Sequence, residues 1–327
     1  MKKPMAEYKD FAHDKRRKQR IKRNRRGLLF IVILLFIVGF NMMIVKKPTV
    51  DKHKVQTSTA NKEEMTAVQK VIFKQKNGLQ KGAEDVTASL KSVYEVEDIA
   101  FVEKYLKQQI SGDMPDGANG EKIAYLSFDD GPSETVTPKI LDVLKEEKVP
   151  ATFFVLGQEV DKSDITKNLI KRMIEEGHAI ANHSYSHNYD YLYPNKKVSL
   201  DHFMSDIEKT NNSLKTVLGE DFTTRAVRYP GGHMTWAKSD PTGVASLDKA
   251  LYAKGYHHVD WNVLPKDAEG APKNAEELMR EFTNTVAGRE KAVILMHDTY
   301  NKEETAKALP EMIKYLKEHD YKFRTMK

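Results

Sequence analysis

From residue 119 onward the chain alternates short apolar runs with amphipathic helical patterns, and this alternation restricts the fold more than any other feature. Strands are expected at 123–128, 152–156, 179–182, 226–229, 257–262, 292–296 and 322–324. Between most of them, apolar residues recur at helical spacing. Ile165, Leu169, Ile170, Met173 and Ile174 form one such stripe, which ends at Gly177. Leu200, Phe203, Ile207 and Leu214 form a second. Leu278, Phe282 and Val286 form a third, and Leu309, Ile313 and Leu316 a fourth. Strand alternating with helix implies a parallel sheet covered by helices. Seven repeats in residues 119–327 suit an α/β barrel better than a long open sheet. A doubly wound sheet is the structural alternative, but neither a GxGxxG turn nor a P-loop follows the first strand, so nucleotide binding has little support.

The residues ahead of 119 read differently. Residues 27–45 (GLLFIVILLFIVGFNMMIV) hold no charge, and about 20 apolar residues cross a hydrocarbon core of about 30 Å as a helix. The formal charge of +6 is uneven around this stretch. Residues 1–26 hold 12 Lys/Arg against 3 Asp/Glu, whereas the remaining 41 basic residues face 44 acidic ones. A basic cytoplasmic tail (1–26), a single transmembrane helix (27–45) and an extracellular remainder are therefore expected. A cleaved signal peptide is the competing reading. The apolar stretch is longer than a usual signal core, and no small-x-small cleavage site follows it. Membrane lipid is the expected partner of residues 27–45. The nearly neutral body gives no argument for nucleic-acid binding, and no protein partner is implied. Residues 46–118 read as a linker and stalk, polar at first and weakly helical later, closing with the loop DMPDGANG.

Cysteine is absent, so thiolate chemistry is excluded and any metal must be held by His, Asp or Glu. Polar groups fall at the C-terminal ends of the expected strands, the end that carries the active site of parallel α/β barrels. Asp129 and Asp130 follow the first strand, His183 and His187 the third, and Arg228 ends the fourth. Asp260 lies near the end of the fifth, and His297 and Asp298 follow the sixth. Taken singly, each has an ordinary explanation. Asp-Asp-Gly-Pro at 129–132 is good turn chemistry, HxxxH is common, and Trp261 is as readily core as pocket wall. Two imidazoles four apart would share a face on a helical turn, and an Asp completes a two-His-one-carboxylate set suited to zinc, with other first-row metals open. His178, His202, His233, His257, His258 and His319 are left unassigned.

Five segments, in order, resemble the motifs of the NodB-homology polysaccharide deacetylases, carbohydrate esterase family four. They are Ser127–Pro132 (SFDDGP), His183–His187 (HSYSH), Arg228–Gly232 (RYPGG), Val259–Trp261 (VDW) and Ile294–Asp298 (ILMHD). The resemblance covers residues 119–327 and implies a distorted (β/α)7 barrel acting as a metal-dependent deacetylase. It implies Asp130, His183 and His187 as ligands of Zn2+, with Co2+, Mn2+ or Ni2+ as alternatives. It also implies Asp129 as general base, positioned by Arg228, and His297 as general acid, held by Asp260. The Gly231 N–H would bind the oxyanion, and Trp261 and Leu295 would wall the acetyl pocket. Two departures bear on the groove: Gly231 stands where the family usually has Tyr, and His257 where the fourth motif usually opens with Asp. With an extracellular location, the expected substrate is an N-acetylated cell-wall glycan, first of all N-acetylglucosamine of peptidoglycan. Poly-N-acetylglucosamine, chitin oligomers and O-acetylated xylan are alternatives, and a catalytically silent carbohydrate-binding barrel is the alternative of another class.

Overall fold

The computed structural model describes residues 94–327. The expected tail (1–26), transmembrane helix (27–45) and residues 46–93 of the expected stalk lie outside the described residues. Among the described residues, no helix is long and apolar enough to cross a membrane.

The described chain begins with a short strand, β1 (Val96–Glu97), and helix α1 (Ile99–Ser111). The barrel units follow: β2 (Ile123–Asp129), α2 (Thr137–Glu147), β3 (Thr152–Val155), α3 (Asp164–Glu175), β4 (Ala179–Asn182) and α4 (Leu200–Leu218). Next come β5 (Ala226–Val227), α5 (His233–Ser239), α6 (Pro241–Ala253), β6 (His257–His258) and α7 (Ala275–Val286). The chain closes with β7 (Lys291–His297), α8 (Glu303–Glu318), β8 (Lys322–Phe323) and β9 (Thr325–Met326). The seven expected strands are all present, several of them shorter than their apolar runs.

The main sheet is parallel throughout, in the order β6-β5-β4-β3-β2-β7, with β8 against the start of β2. It curls. Beyond β6 the chain returns to β7, where Val263 bridges Ile294 and donates to the Val293 carbonyl at 3.1 Å. The doubly wound alternative is therefore set aside. β2 and β7 are paired over their full length and buried on both faces, which explains why they read as unbroken apolar runs rather than alternating ones.

Side-chain alternation splits the core into two layers. The outer layer lies under the helices and includes Leu126, Phe128, Phe153, Ile170, Ile294 and Leu309. α3 presents its stripe to this layer. A Ser163–Thr166 capping box starts it, and Gly177, at φ +85°, lets the chain turn off its end.

The inner layer corrects an expected boundary. Ile123, Tyr125, Phe154, Val259 and Val293 point into the curl, and Ile99, Val102 and Leu106 of α1 pack against them. β1 also pairs with β9, Val96 opposite Thr325. The sequence pattern assigns residues 96–111 to the end of a stalk and starts the catalytic domain at 119. They instead plug the barrel. The weak helical pattern at Ile99, Val102, Tyr105 and Leu106 is the buried face of this plug.

Candidate active site

Asp129 is the last inward residue of β2, and its neighbour should point outward. Asp130 does not, because its backbone adopts φ +70° and swings the carboxylate back over the strand end. Gly131 then lies against Asp298, whose Oδ2 would stand 2.1 Å from any Cβ at that position, so only glycine fits. Ser133 and Thr137 tie this turn to β7, both hydroxyls donating to the Asp298 carbonyl. The two adjacent acids thus reach one cavity.

His183 continues the inward register of β4. Its Nδ1 lies 2.8 Å from the Arg228 carbonyl, a contact that requires an Nδ1–H and leaves Nε2 as a bare acceptor. His187 reaches the same point by a route different from the expected helical turn. Residues 183–188 form a loop in which Ser184 (φ +71°) and His187 (φ +48°) are both left-handed. The Ser184 hydroxyl accepts the His187 N–H, and Asp206 accepts both the N–H and the hydroxyl of Ser186. The imidazoles converge because side-chain hydrogen bonds bend the loop.

The result is a three-ligand cluster. Asp130 Oδ1 is 3.4 Å from both His183 Nε2 and His187 Nε2. It is buried and has no hydrogen-bond partner among the described residues. A carboxylate oxygen aimed at the bare nitrogen of His183 is an acceptor facing an acceptor, an arrangement that a cation between them resolves. Burial also pushes His183 down to about 3, against the opposing charge of Asp130, so the ring is neutral as a ligand must be. The residues present therefore fit a divalent metal.

Beside this cluster, the Arg228 guanidinium is fully buried and donates to Asp129 Oδ1 at 2.7 Å and to the Ser127 hydroxyl at 2.9 Å. Its remaining donors go to the Val259 and Asp260 carbonyls, and its plane lies 4.0 Å over the Phe154 ring. Arg228 is thus over-determined, and so is the carboxylate that it holds. Burial pushes the Asp129 carboxyl up, and Arg228 opposes that shift.

His297 ends β7 and faces the same cavity. Here the structure corrects a residue assignment. His297 Nδ1 is 2.8 Å from Asp267 Oδ1, and Asp267 Oδ2 accepts the His297 N–H. Asp260, expected in this role, instead accepts the N–H groups of His233 and Met234, each at 2.8 Å, and so caps the start of α5. Its place in the chain just after β6 directs the carboxylate toward that helix end. Asp267 lies in the 264–274 loop, where neither strand nor helix periodicity singles out a residue. Burial alone would lower the His297 pKa, but the charge and hydrogen bond of Asp267 outweigh it and raise the ring to about 9.

Leu295 is buried one inward position before His297, and Trp261 is half-buried with its ring edge 2.8 Å from where a Gly232 Cβ would stand. Gly231 sits exposed at φ +80°. The hydroxyl of Tyr189 is 3.0 Å from where its Cβ would be, so Tyr189 supplies an aromatic group at the position whose own side chain is missing. Tyr189 also meets the His187 ring edge-on at 5.2 Å. Nothing in the sequence pattern marked it. His257 lies away from the site: its Nδ1 is 2.7 Å from Glu103 Oε2 on α1.

The polysaccharide deacetylase family profile matches residues 116–242. A peptidoglycan-N-acetylglucosamine deacetylase of Bacillus cereus is 33% identical over 232 residues, 69% of this chain and 73% of that protein. A chitooligosaccharide deacetylase of Rhizobium leguminosarum bv. phaseoli is 34% identical over 58% of this chain and 73% of its own length. Among solved structures, a Streptococcus mutans CE4 esterase superposes with TM-score 0.63 at 35% identity, covering 72% of this chain and 92% of that one.

Proposed function

This chain belongs to the polysaccharide deacetylase family, and we propose that it removes N-acetyl groups from a cell-wall polysaccharide by metal-dependent hydrolysis, with N-acetylglucosamine of peptidoglycan as substrate. The observation that carries the metal-dependent reading is the buried, unpartnered Asp130 Oδ1 between two imidazoles, next to the Asp129–Arg228 pair. The choice of peptidoglycan rests on the B. cereus relative and on the expected extracellular location.

Asp130, His183 and His187 would hold the metal, with zinc the best match to their donor set. What a divalent cation supplies there is polarisation of the acetyl carbonyl and a more acidic attacking water. Asp129, fixed by Arg228, is placed to accept a proton from the attacking water. The Gly231 N–H donates to the oxygen on which negative charge develops, an interaction typically worth about 10²–10³ in rate. Trp261 and Leu295 wall the space for the acetyl methyl. His297, kept protonated by Asp267, donates to the departing amine through Nε2. Asp129 must be ionised and His297 protonated, so a bell-shaped pH profile is expected.

We place the chain at the cell membrane through residues 27–45, with the basic tail cytoplasmic and the barrel outside, on the strength of the uncharged stretch and its basic flank. Protease shaving of intact cells tests this placement. Release of the barrel supports it, and full protection overturns it.

The functional test is acetate release by the full chain from peptidoglycan and from N-acetylglucosamine oligomers, after chelation and with zinc restored. Zinc-dependent release that disappears in Asp129→Asn is expected. Metal uptake without release from either substrate would leave the catalytically silent barrel as the better reading.

A further inference from the structure

A second set of two imidazoles and a carboxylate lies on the far side of Asp260. His233 begins α5, Asp248 lies in α6 and His258 ends β6. His233 Nε2 is 3.0 Å from Asp248 Oδ2, and His258 Nε2 is 3.2 Å from Asp248 Oδ1. The three ligand atoms all lie within 4.8 Å of one another. None of these residues belongs to the site described above. From the arrangement of His233, Asp248 and His258 we infer a second site for a divalent transition cation, distinct from Asp130, His183 and His187.

Several features favour a cation over a merely polar cluster. The His233 and His258 rings stack at 4.0 Å with an 11° angle between planes. Two positive charges at that separation would repel, whereas two neutral rings can both turn a nitrogen toward one cation. A second acid, Glu103 of α1, brings Oε1 to 3.1 Å from His258 Nε2. Three oxygens, from Asp248, Glu103 and Tyr252, thus surround His258 Nε2, and the Tyr252 hydroxyl donates to Glu103. The Tyr229 hydroxyl donates to Asp248 Oδ1 at 2.8 Å and fixes the carboxylate. Glu103 keeps Tyr252, Lys107 and His257 as partners when His258 turns away.

Access is open. A cavity of about 500 Å3 is lined by His233, His258, Glu103 and Leu106, together with Lys107 and Lys238. Binding takes the protons off both Nε2 atoms and draws the ligand atoms together, tilting the stacked rings toward the ion. Tetrahedral zinc at about 2.0–2.2 Å from nitrogen and carboxylate oxygen suits this set, and hard oxygen-seeking cations do not. The ion would cross-link α5, α6 and β6 directly behind Asp260.

The test is zinc uptake by the chelator-stripped full chain at neutral pH, read by calorimetric titration and by metal content after dialysis. The chain is expected to retain two equivalents, Asp130→Asn one, and His233→Gln one. His233 is partly exposed, and glutamine keeps a donor toward Asp248, so this variant is expected to fold. Asp248→Asn gives an independent check. Cobalt substituted into Asp130→Asn should show the visible absorption of a tetrahedral site and lose it on adding His233→Gln. One equivalent in the unaltered chain and none in Asp130→Asn would overturn the inference. Two equivalents persisting in both His233→Gln and Asp248→Asn would do so as well. One equivalent that survives Asp130→Asn but not His233→Gln would support this site and count against the metal reading of the active site.

Discussion

Asp267 holds His297 at both ends, one carboxylate oxygen 2.8 Å from the ring Nδ1 and the other accepting the same residue's backbone N–H at 2.8 Å. The ring therefore has a fixed tautomer and a fixed orientation, with Nε2 toward the cavity. Its raised pKa follows from this pairing, because burial by itself pushes the other way.

Replacing Asp267 with Asn removes the charge that keeps His297 protonated. The ring pKa should fall from about 9 toward or below its ordinary value. The alkaline limb of the kcat–pH profile should move down with it, and kcat at neutral pH should drop about 10²-fold, the lower end of what general acid catalysis contributes. Asp260→Asn should leave that limb in place and cost about 1 kcal/mol of stability through the weakened cap of α5. A limb that moved in Asp260→Asn and not in Asp267→Asn would contradict the assignment.

The same pair makes stability depend on pH. The folded pKa of His297 lies above its unfolded value of 6.5, so the stabilisation is fully present below pH 6.5 and is lost as pH rises through about 9. Its size is at most about 3 kcal/mol. Denaturant melts of the unaltered chain and of His297→Gln across this window should converge as pH rises. Parallel curves would show that His297 adds nothing.

α1 carries a prediction about truncation. A chain starting at residue 119 lacks Ile99, Val102 and Leu106 and leaves the inner faces of Tyr125, Phe154 and Val293 uncovered. It should be insoluble or molten, whereas a chain starting just before Tyr94 should unfold cooperatively. Leu106→Ala in the full chain should cost about 2–5 kcal/mol. Soluble expression and melting curves of the two truncations decide the matter, and equal stability would show that the plug is dispensable.

Gly231 is left-handed at φ +80° and lies under Tyr189. Gly231→Ala adds a Cβ 3.0 Å from the Tyr189 hydroxyl and strains the backbone, for about 1 kcal/mol of stability. Tyr189→Ala should relieve the contact, so the double variant should lose less than the two single losses combined. Additive losses, read from melting curves, would mean that the two positions are not coupled.

The strands and most helices were legible because β-alternation and helical spacing are local patterns that burial enforces. Asp129, Asp130, His183, His187, Arg228 and His297 were legible from their places at strand ends and from five ordered motifs. The structure brings them to one cavity. The plug helix is not legible in the sequence because its apolar face is narrow and its partner strands lie far along the chain.

By itself, then, the sequence determined the alternating α/β architecture, the strand-end positions of the candidate site residues and the absence of thiolate chemistry. Only the tertiary structure decided which acid meets which base. Asp260 and Asp267 are seven residues apart and chemically identical, and no local pattern distinguishes them. What separates them is the return of the chain past Val263 onto β7, which puts Asp267 beside His297 and leaves Asp260 against α5. The convergence of Asp130 and His187 likewise depends on left-handed backbone at both residues, held by a local contact with Ser184 and by Asp206 and Asp298, which lie elsewhere in the sequence. Pairing in space is set by how elements pack, and the sequence lists the partners without recording their distances.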